Sequence, residues 1–521
     1  MRAEIPLGAA GGSPSTGAPR SVPALDTRTA LRIAVAISVL FVLALAYPVH
    51  QHVVGVFSDF YVRFAPDADR LASGEFPTNT YNPPGYPALL VLASPLTGDH
   101  FASGKWLSLL AAGLTGVLAF VLFRRLFGPG PALLAVPIIL SSTVFVSYAI
   151  TAMSDVPFVC LCLGAMIVIT AEPQPRRLPW VILSGVVCGA AYLMRYNAVF
   201  LLVPGLAAAV WGERVWTARA KLAAAYLVAF LLTIAPWLWA NHVHHGSPFY
   251  STNYEDVARA FGLSRRGQPF RSLADVVLHD PIRFAWGYVS NLGPIVYRTF
   301  GAALALLPWG PLALLGIGLS LARYRRRPVL LVLLAVLSFV LLMTLTHWEK
   351  RYFFFILACY SGFAAFAIFE VGEWIARRFG SPAAARVVMV VLSLWILVPS
   401  SYRIWREADK TLARQPIELL PAARVLERVA PPEATVMSVR AQIATLSRRR
   451  WRVMPGADSI QDLERRLRDQ PPDYLVYDRW ARRYIPQIKA LADPAGSPPW
   501  LHAVYASPLV VVYRVELERA R

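Results

Sequence analysis

The sequence predicts an all-α polytopic membrane protein that ends in a small soluble α/β domain. Of the 521 residues, 56% are hydrophobic and 16% are charged, whereas soluble globular proteins have about 25% charged residues. Apolar runs of roughly 18 to 22 residues recur along the chain, and each is long enough to cross about 30 Å of hydrocarbon as a helix. Arginine is concentrated in alternate connections between these runs, which is typical of multi-pass membrane proteins.

The membrane domain is expected to cover residues 29–403 and to contain about eleven transmembrane helices. Residues 1–28 are rich in Gly, Ala, Pro and Ser and are expected to form a disordered cytoplasmic tail. The run 31–47 resembles a signal-peptide core but is long for that role, so we expect a retained first helix. The predicted spans are 31–48, 104–123, 131–151, 156–171, 180–195, 197–212, 222–241, 300–322, 329–347, 352–374 and 387–403.

The arginine-rich connections predict the orientation, because short basic loops stay on the cytoplasmic side. An odd number of spans then places outer loops 49–103 and 242–299 and the C-terminal residues 404–521 outside the cytoplasm. The high ratio of Arg to Lys favours a bacterial source, and therefore a bacterial plasma (inner) membrane. The basic connections contain Arg124, Arg125, Arg176, Arg177, Arg214, Arg219, Lys221, Arg323, Arg325, Arg326, Arg327, Arg377, Arg378 and Arg386.

The net charge of +20 does not indicate nucleic-acid binding, because the sequence lacks a basic stripe interleaved with aromatic residues. The C-terminal segment is predicted to be a separate α/β domain. Residues 434–439, 474–477 and 509–513 have the apolar, β-branched character of strands, and Ile460–Leu467 is predicted as a helix between them.

Two carboxylates are expected at the outer ends of spans, where an ionised group costs free energy unless it has a partner or a role. Asp59 and Arg63 would share a helix face at i, i+4. They are either a surface ion pair or the site of a general base. Asp155 begins the fourth span beside Pro157, and is either part of an N-cap or a second active-site carboxylate.

Several cations also lie at the outer face, against the positive-inside bias. Arg195, Lys350 and Arg351 either reach lipid headgroups or pair with Glu349, or they form an anion site for a phosphate, which arginine binds bidentately. The rigid turn from Tyr81 to Pro87 contains Tyr86 and is either an interface anchor or a wall for a sugar. The cluster His242, His244 and His245 is expected to be interfacial rather than metal-binding, because adjacent histidines diverge on a helix.

In their order along residues 30–400, these features resemble the GT-C superfamily of membrane glycosyltransferases. The closest resemblance is to the dolichyl-phosphate-mannose protein mannosyltransferase family and its bacterial relatives that modify lipid A or lipopolysaccharide. Many relatives have Asp-Glu where this chain has Asp59-Phe60, and Asp67 and Asp69 follow as competing carboxylates. The distance from Asp59 to Gly74 fits the family pattern. The matching positions are Asp59, Tyr61, Ala68, Leu71, Gly74, Pro83, Pro84, Gly85, Tyr86, Asp155, Arg195, Arg351 and Tyr352.

The resemblance implies an inverting hexosyl or pentosyl transfer from a polyprenyl-phosphate sugar to a hydroxyl of a glycan, lipid or protein. Asp59 would be the general base, and Arg351, Lys350 and Arg195 would bind the lipid phosphate. Arg63, Tyr81, Tyr86 and Tyr352 would line the donor and acceptor pocket. Metal use stays open, because some members use a divalent ion beside two acidic residues, here including Asp155, and others do not.

A polytopic transporter or lipid-linked saccharide flippase is the alternative function. It predicts polar or charged side chains at mid-depth in several spans, together with broken helices. In this sequence most ionisable residues fall at the ends of the predicted spans, which favours chemistry at the membrane surface.

Overall fold

The computed structural model describes residues 26–77, 79–171, 177–263, 269–301 and 309–517, so most of the predicted N-terminal tail lies outside the described residues. A long helical bundle is followed by a sheet domain. Its α-helices, α1 to α21 in chain order, are Thr27–Gln51, Ala65–Ala72, Gly85–Thr97, His100–Phe127, Pro129–Leu140, Thr143–Ala149, Asp155–Ile169, Arg177–Met194, Leu202–Val210, Trp216–His245, Asn253–Ala260, Leu273–His279, Pro281–Phe300, Trp309–Arg323, Arg327–Met343, Phe354–Phe379, Pro382–Ala413, Leu419–Val429, Gln442–Leu446, Ile460–Leu467 and Arg479–Tyr484.

Shorter helical turns and the strands complete the fold. The π-helix Phe60–Phe64 precedes α2, and 3-10 helices occupy Tyr196–Leu201, Lys350–Phe353, Pro486–Ala492 and Pro494–Gly496. The strands β1 to β5 are Thr435–Ser438, Arg450–Val453, Tyr474–Tyr477, Leu501–Ala506 and Val511–Val515.

Among the described residues, six helices are long and apolar enough to cross a membrane. Each of the eleven predicted spans coincides with a helix over at least part of its length, and the shorter ones are apolar helices of 10–17 residues or a bent pair. The total of eleven spans therefore stays a prediction. The predicted span 300–322 includes residues 302–308, which lie outside the described residues.

The predicted span 131–151 is broken rather than continuous. Helices α5 and α6 meet at an angle of 66°. Ser142 adopts an extended conformation between them, and its side chain accepts a hydrogen bond from the Phe145 amide. A serine that caps a new helix in this way stabilises a break within an apolar run.

Helix α16 lies at the centre of the bundle, and 89% of its most apolar stretch is buried. Small residues let its neighbours approach closely. A Cβ atom on Gly316 of α14 would overlap the Phe363 carbonyl, and one on Gly362 would overlap the Phe123 ring. Close backbone approach of this kind is how helices associate in lipid, where apolar burial alone gives little driving force.

Four predicted cytoplasmic connections meet at one end of the bundle. Arg125 donates a hydrogen bond to the Ile167 carbonyl, and Arg177 donates to the Ala209 carbonyl. Arg327 donates to the Ala171 carbonyl. We refer to this end as the basic end.

The opposite end of the bundle adjoins the C-terminal domain. Its sheet has the strand order β2-β1-β3-β5-β4, with parallel pairing of β1 to β2 and β3 and antiparallel pairing of β5 to β3 and β4. The three predicted strands and the predicted helix 460–467 are present. The edge strands β2 and β4 were not predicted; in the structure many of their side chains are exposed or half-exposed.

Helix α13 lies in the predicted outer loop 242–299 and is amphipathic. Ile282, Trp286 and Val289 form a stripe at i, i+4, i+7, and these side chains are 84%, 73% and 63% exposed. In a membrane protein such a stripe is typical of a helix whose apolar face contacts lipid.

Candidate functional site

Asp59 directly precedes the π-helix Phe60–Phe64, which continues into α2. The π-helical turn is rare in proteins and is often found at functional sites. Phe60 and Phe64 are buried beneath this turn. The Asp59 side chain is 25% exposed, and its Oδ1 lies 3.4 Å from Nη1 of Arg63. The predicted i, i+4 pair is therefore present.

Arg351 reaches Asp59 from the 3-10 helix at the start of α16. Its Nη1 donates to Asp59 Oδ2 at 2.9 Å, and its Nε donates to Glu349 Oε2 at 2.6 Å. The Arg351 side chain is 13% exposed, so this contact is largely shielded from solvent. Lys350 is exposed, and among the described residues no ion pair joins it to this network. The pairing with Glu349, expected as one alternative for these cations, is therefore present beside the contact with Asp59.

A second, buried ion pair joins Asp155 to Arg195. Arg195 has extended backbone angles between α8 and the following 3-10 helix. Its Nη1 donates to Asp155 Oδ1 at 2.7 Å and to Ser154 Oγ at 3.3 Å. The Asp155 side chain is 1% exposed. Asp155 is the first residue of α7, where the helix dipole also favours a negative charge.

Tyr352 connects the two ion pairs. The centroid of its ring lies 5.4 Å from Cζ of Arg195 and 5.2 Å from Cζ of Arg351. An aromatic face between two guanidinium groups gains cation–π attraction to both. The predicted carboxylates and arginines thus form one continuous network, although they come from four separate parts of the chain.

A cavity of about 330 Å³ opens beside this network. Tyr81, Arg195 and Tyr352 line it, as do seven residues between 249 and 257 of the predicted outer loop. Asp59, Arg63 and Arg351 are not among its lining residues. Tyr81 has two partners: Arg63 stacks over its ring with Cζ 3.4 Å from the centroid, and its hydroxyl donates to Asp256 Oδ2 at 2.7 Å. The wall is rich in tyrosine and asparagine, including Asn82, Asn197, Asn241 and Asn253. Aromatic faces and amides together suit a ligand with hydroxyl groups and apolar ring faces.

Tyr86 lies outside this cavity. It is fully buried, and its ring makes an edge contact with Phe64 at 4.8 Å. Gly104 packs so closely that a Cβ atom there would lie 2.8 Å from the Tyr86 hydroxyl oxygen. Tyr86 therefore packs the turn of residues 81–87 against the π-helix and α4 and does not line the cavity.

Asp67 and Asp69, which compete with Asp59 for the role of general base, have partners outside the ion-pair network. Asp67 is buried, and this burial raises the pKa of its carboxyl to about 7, against the opposing effects of Arg70 and Asn79. Asp69 is 71% exposed and pairs with Nε2 of His100 at 3.2 Å.

The carboxylates do not form a set of metal ligands in the part of the chain that the structure describes. No group of three or more His, Cys, Asp or Glu side chains is placed to hold an ion there. Asp59 and Asp155 are each paired with arginine instead. His245 stacks on Tyr250, with ring centroids 4.6 Å apart. The described carboxylates and histidines therefore do not fit a site for a divalent cation.

Comparison with known families and structures agrees with the expected fold. The model of the dolichyl-phosphate-mannose-protein mannosyltransferase family matches residues 81–239. No curated protein matches the chain. ArnT from Cupriavidus metallidurans, solved with undecaprenyl phosphate, is 13% identical with a TM-score of 0.61, and the alignment covers 94% of this chain and 98% of ArnT.

A second solved structure has the same fold. The oligosaccharyltransferase of Archaeoglobus fulgidus, in complex with Zn and sulfate, is 15% identical with a TM-score of 0.59. The match covers 93% of this chain and 73% of that enzyme. At these identities the likeness concerns the fold. The expected GT-C fold, with a C-terminal sheet domain, is therefore confirmed, as is the resemblance to GT-C membrane glycosyltransferases.

Proposed function

We propose that this chain, a membrane protein with the GT-C fold, is a glycosyltransferase that moves a sugar from a polyprenyl-phosphate donor to an extracytoplasmic hydroxyl. One observation carries the proposal. Asp59, a half-buried carboxylate, is bonded to Arg351, and the Tyr352 ring joins this pair to Arg195. Arg195 and Tyr352 in turn line the cavity that is rich in tyrosine and asparagine. A base and phosphate-binding groups are thus adjacent at one end of the membrane bundle.

The reaction is a single displacement with inversion at the anomeric carbon. The acceptor oxygen attacks that carbon while Asp59 takes the hydroxyl proton. The bond between the anomeric carbon and the phosphate oxygen breaks, and polyprenyl phosphate leaves with its electron pair. An ionised carboxylate has about four lone-pair sites, and the contacts with Arg63 and Arg351 leave room for an acceptor hydroxyl.

Arg351 stabilises the leaving phosphate. A guanidinium has five N–H donors, and its bonds to Asp59 and Glu349 use Nη1 and Nε. The remaining donors suit phosphate oxygens. In a site shielded from water such contacts stabilise the developing charge by several kcal/mol. Arg195 contributes positive potential across the Tyr352 ring and holds the buried Asp155.

The partners follow from the same geometry and from the relatives. The solved ArnT structure with undecaprenyl phosphate supports a polyprenyl-phosphate carrier. The Archaeoglobus enzyme was solved with a tethered acceptor peptide, and here a glycan, lipid or protein hydroxyl is the acceptor. The expected location is a bacterial plasma membrane, with the site and the C-terminal domain outside the cytoplasm.

Reconstitution separates this function from the flippase alternative. Proteoliposomes that contain a polyprenyl-phosphate sugar, labelled in the sugar, are incubated with candidate acceptors. Transfer is shown by loss of label from the lipid and its appearance in a new glycosidic product. Movement of intact labelled lipid between leaflets, with no new product, would instead establish a flippase.

A further inference from the structure

The C-terminal domain binds the short segment that carries Asp59. Residues 52–57 connect α1 to the turn with Asp59 and are neither helix nor strand. Their backbone polar groups therefore need partners from elsewhere in the fold. Side chains that follow α17, in residues 415–445, bind four of them: the amides of Val53 and Val54 and the carbonyls of Gly55 and Val56.

Gln415 holds the start of this segment. Its Oε1 accepts hydrogen bonds from the amides of Val53, at 2.6 Å, and Val54, at 3.2 Å. Its Nε2 donates to the Gln51 carbonyl at 3.2 Å. One side chain thus fixes the end of α1 and the first residues beyond it.

The loop between β1 and α19 holds the middle of the segment. Arg440 Nη1 donates to the Val56 carbonyl at 2.8 Å, and Gln442 Nε2 donates to the same oxygen at 3.1 Å. Gln442 is fully buried. Arg440 stacks over Trp480 with Cζ 4.8 Å from the ring centroid, which fixes the direction of its guanidinium.

Thr445 binds the backbone on the C-terminal side of Asp59. Its Oγ1 donates to the Tyr61 carbonyl at 3.1 Å, and the Tyr61 hydroxyl accepts a bond from the Gly55 amide at 2.8 Å. The C-terminal domain therefore anchors the backbone three residues before Asp59 and two residues after it. The partner of Asp59, Arg351, belongs instead to the membrane bundle.

From these contacts we infer that the C-terminal domain positions the catalytic base, with Arg440, Gln442 and Thr445 as positioning residues. This inference rests on the proposed function. The domain fixes the Asp59 backbone against Arg351, so that the carboxylate faces the acceptor hydroxyl. Small displacements of a catalytic group lower kcat far more than substrate binding, and about 1 Å can cost roughly 100-fold.

The test compares Gln442→Leu/Thr445→Val with the wild-type chain in the transfer assay, and monitors hydrogen exchange of residues 53–61. We expect kcat to fall by about 10- to 100-fold, with the donor KM within about twofold. Amides 53–61 should exchange faster, while those of β3 keep their protection. Gln442→Leu/Thr445→Ser restores the hydroxyl and should recover part of kcat.

Thr435→Val is the matched control, because its hydroxyl binds Asp473 within the same domain and does not touch the Asp59 segment. An unchanged kcat in the double variant, or an equal loss in Thr435→Val, would overturn the positioning role. In either case an active wild-type enzyme leaves the proposed function standing. A wild-type chain without transfer would overturn the proposed function, and this inference with it.

Discussion

Arg351 donates a hydrogen bond to Asp59 across 292 residues of sequence, with 2.9 Å between Nη1 and Oδ2. The pair joins the connection after α1 to the start of α16, the most buried of the six long apolar helices. Donor phosphate and acceptor hydroxyl would therefore bind to neighbouring groups.

Arg351→Ala should weaken use of the lipid-phosphate donor. A hydrogen bond to a charged group contributes about 1.5–3 kcal/mol, so we expect kcat/KM for the donor to fall roughly 10- to 100-fold. Arg351→Lys should be intermediate, because a lysine keeps the charge but lacks the fork of donors. Lys350→Ala, at an exposed position, should change kcat/KM by less than about threefold. The initial rate of transfer, measured at varied donor concentration, tests this order of effects. An Arg351→Ala enzyme with wild-type kcat/KM would refute the phosphate site.

Breaking the buried pair of Asp155 and Arg195 should destabilise the bundle. Arg195→Ala leaves a carboxylate that is 1% exposed without its charge partner, which costs about 3–5 kcal/mol. Removing both charges, as in Arg195→Met/Asp155→Leu, should cost less. Arg465→Ala breaks a solvent-screened surface pair with Asp462 and should cost much less. The free energy of unfolding in detergent is measured for all three variants. An equal loss of stability in Arg195→Ala and Arg465→Ala would argue against the buried ion pair.

Tyr81 should act mainly through its ring. Tyr81→Phe keeps the face that stacks under Arg63, and Asp256 retains Arg259 as a partner at 2.7 Å. We expect transfer within about threefold of wild type. Tyr81→Leu removes the cation–π contact, worth about 0.5–2 kcal/mol, and should reduce transfer about tenfold. Initial transfer rates, measured at equal expression of each variant, test this order of effects. A larger loss of transfer in Tyr81→Phe than in Tyr81→Leu would contradict it.

Asp67 should make stability fall as pH rises. Burial raises the pKa of its carboxyl to about 7, above the value of about 3.9 in an unfolded chain. Between pH 4 and 7 the folded state therefore binds more protons than the unfolded state, and stability decreases by up to about 1.4 kcal/mol per pH unit.

Asp67→Asn should flatten this dependence and raise the apparent melting temperature at pH 8. The difference in melting temperature between wild type and variant, followed from pH 5 to 8, measures the effect. Glu433→Gln, at an exposed carboxylate of the C-terminal domain, is the control and should leave the slope unchanged. If Asp67→Asn kept the wild-type dependence of stability on pH, another titrating group would be responsible for that dependence.

Local patterns in the sequence predicted much of the fold. Apolar runs located the helices, and the β-branched runs located β1, β3 and β5. The pair of Asp59 and Arg63 followed from helical spacing. The break at Ser142 was missed, because a capping serine is too small a signal inside an apolar run.

The long-range contacts of the site could not be read from spacing. Asp155 and Arg195 were both candidates, but their pairing depends on how α7 packs against the end of α8. Asp256 was missed as the partner of Tyr81, because it lies 175 residues away in a short amphipathic helix. Tyr86 has the sequence context of a pocket residue, and only its packing against Phe64 and Gly104 places it in the core.

Sugar transfer by Asp59→Asn, measured with a labelled polyprenyl-phosphate sugar in membranes that contain equal amounts of each protein, tests the central claim most directly. The amide keeps the size of the side chain and removes its basicity. Since a general base contributes about 10²- to 10⁴-fold, we expect transfer to fall by at least about 100-fold, while Asp69→Asn transfers at the wild-type rate. Transfer by Asp59→Asn at the wild-type rate would contradict the account.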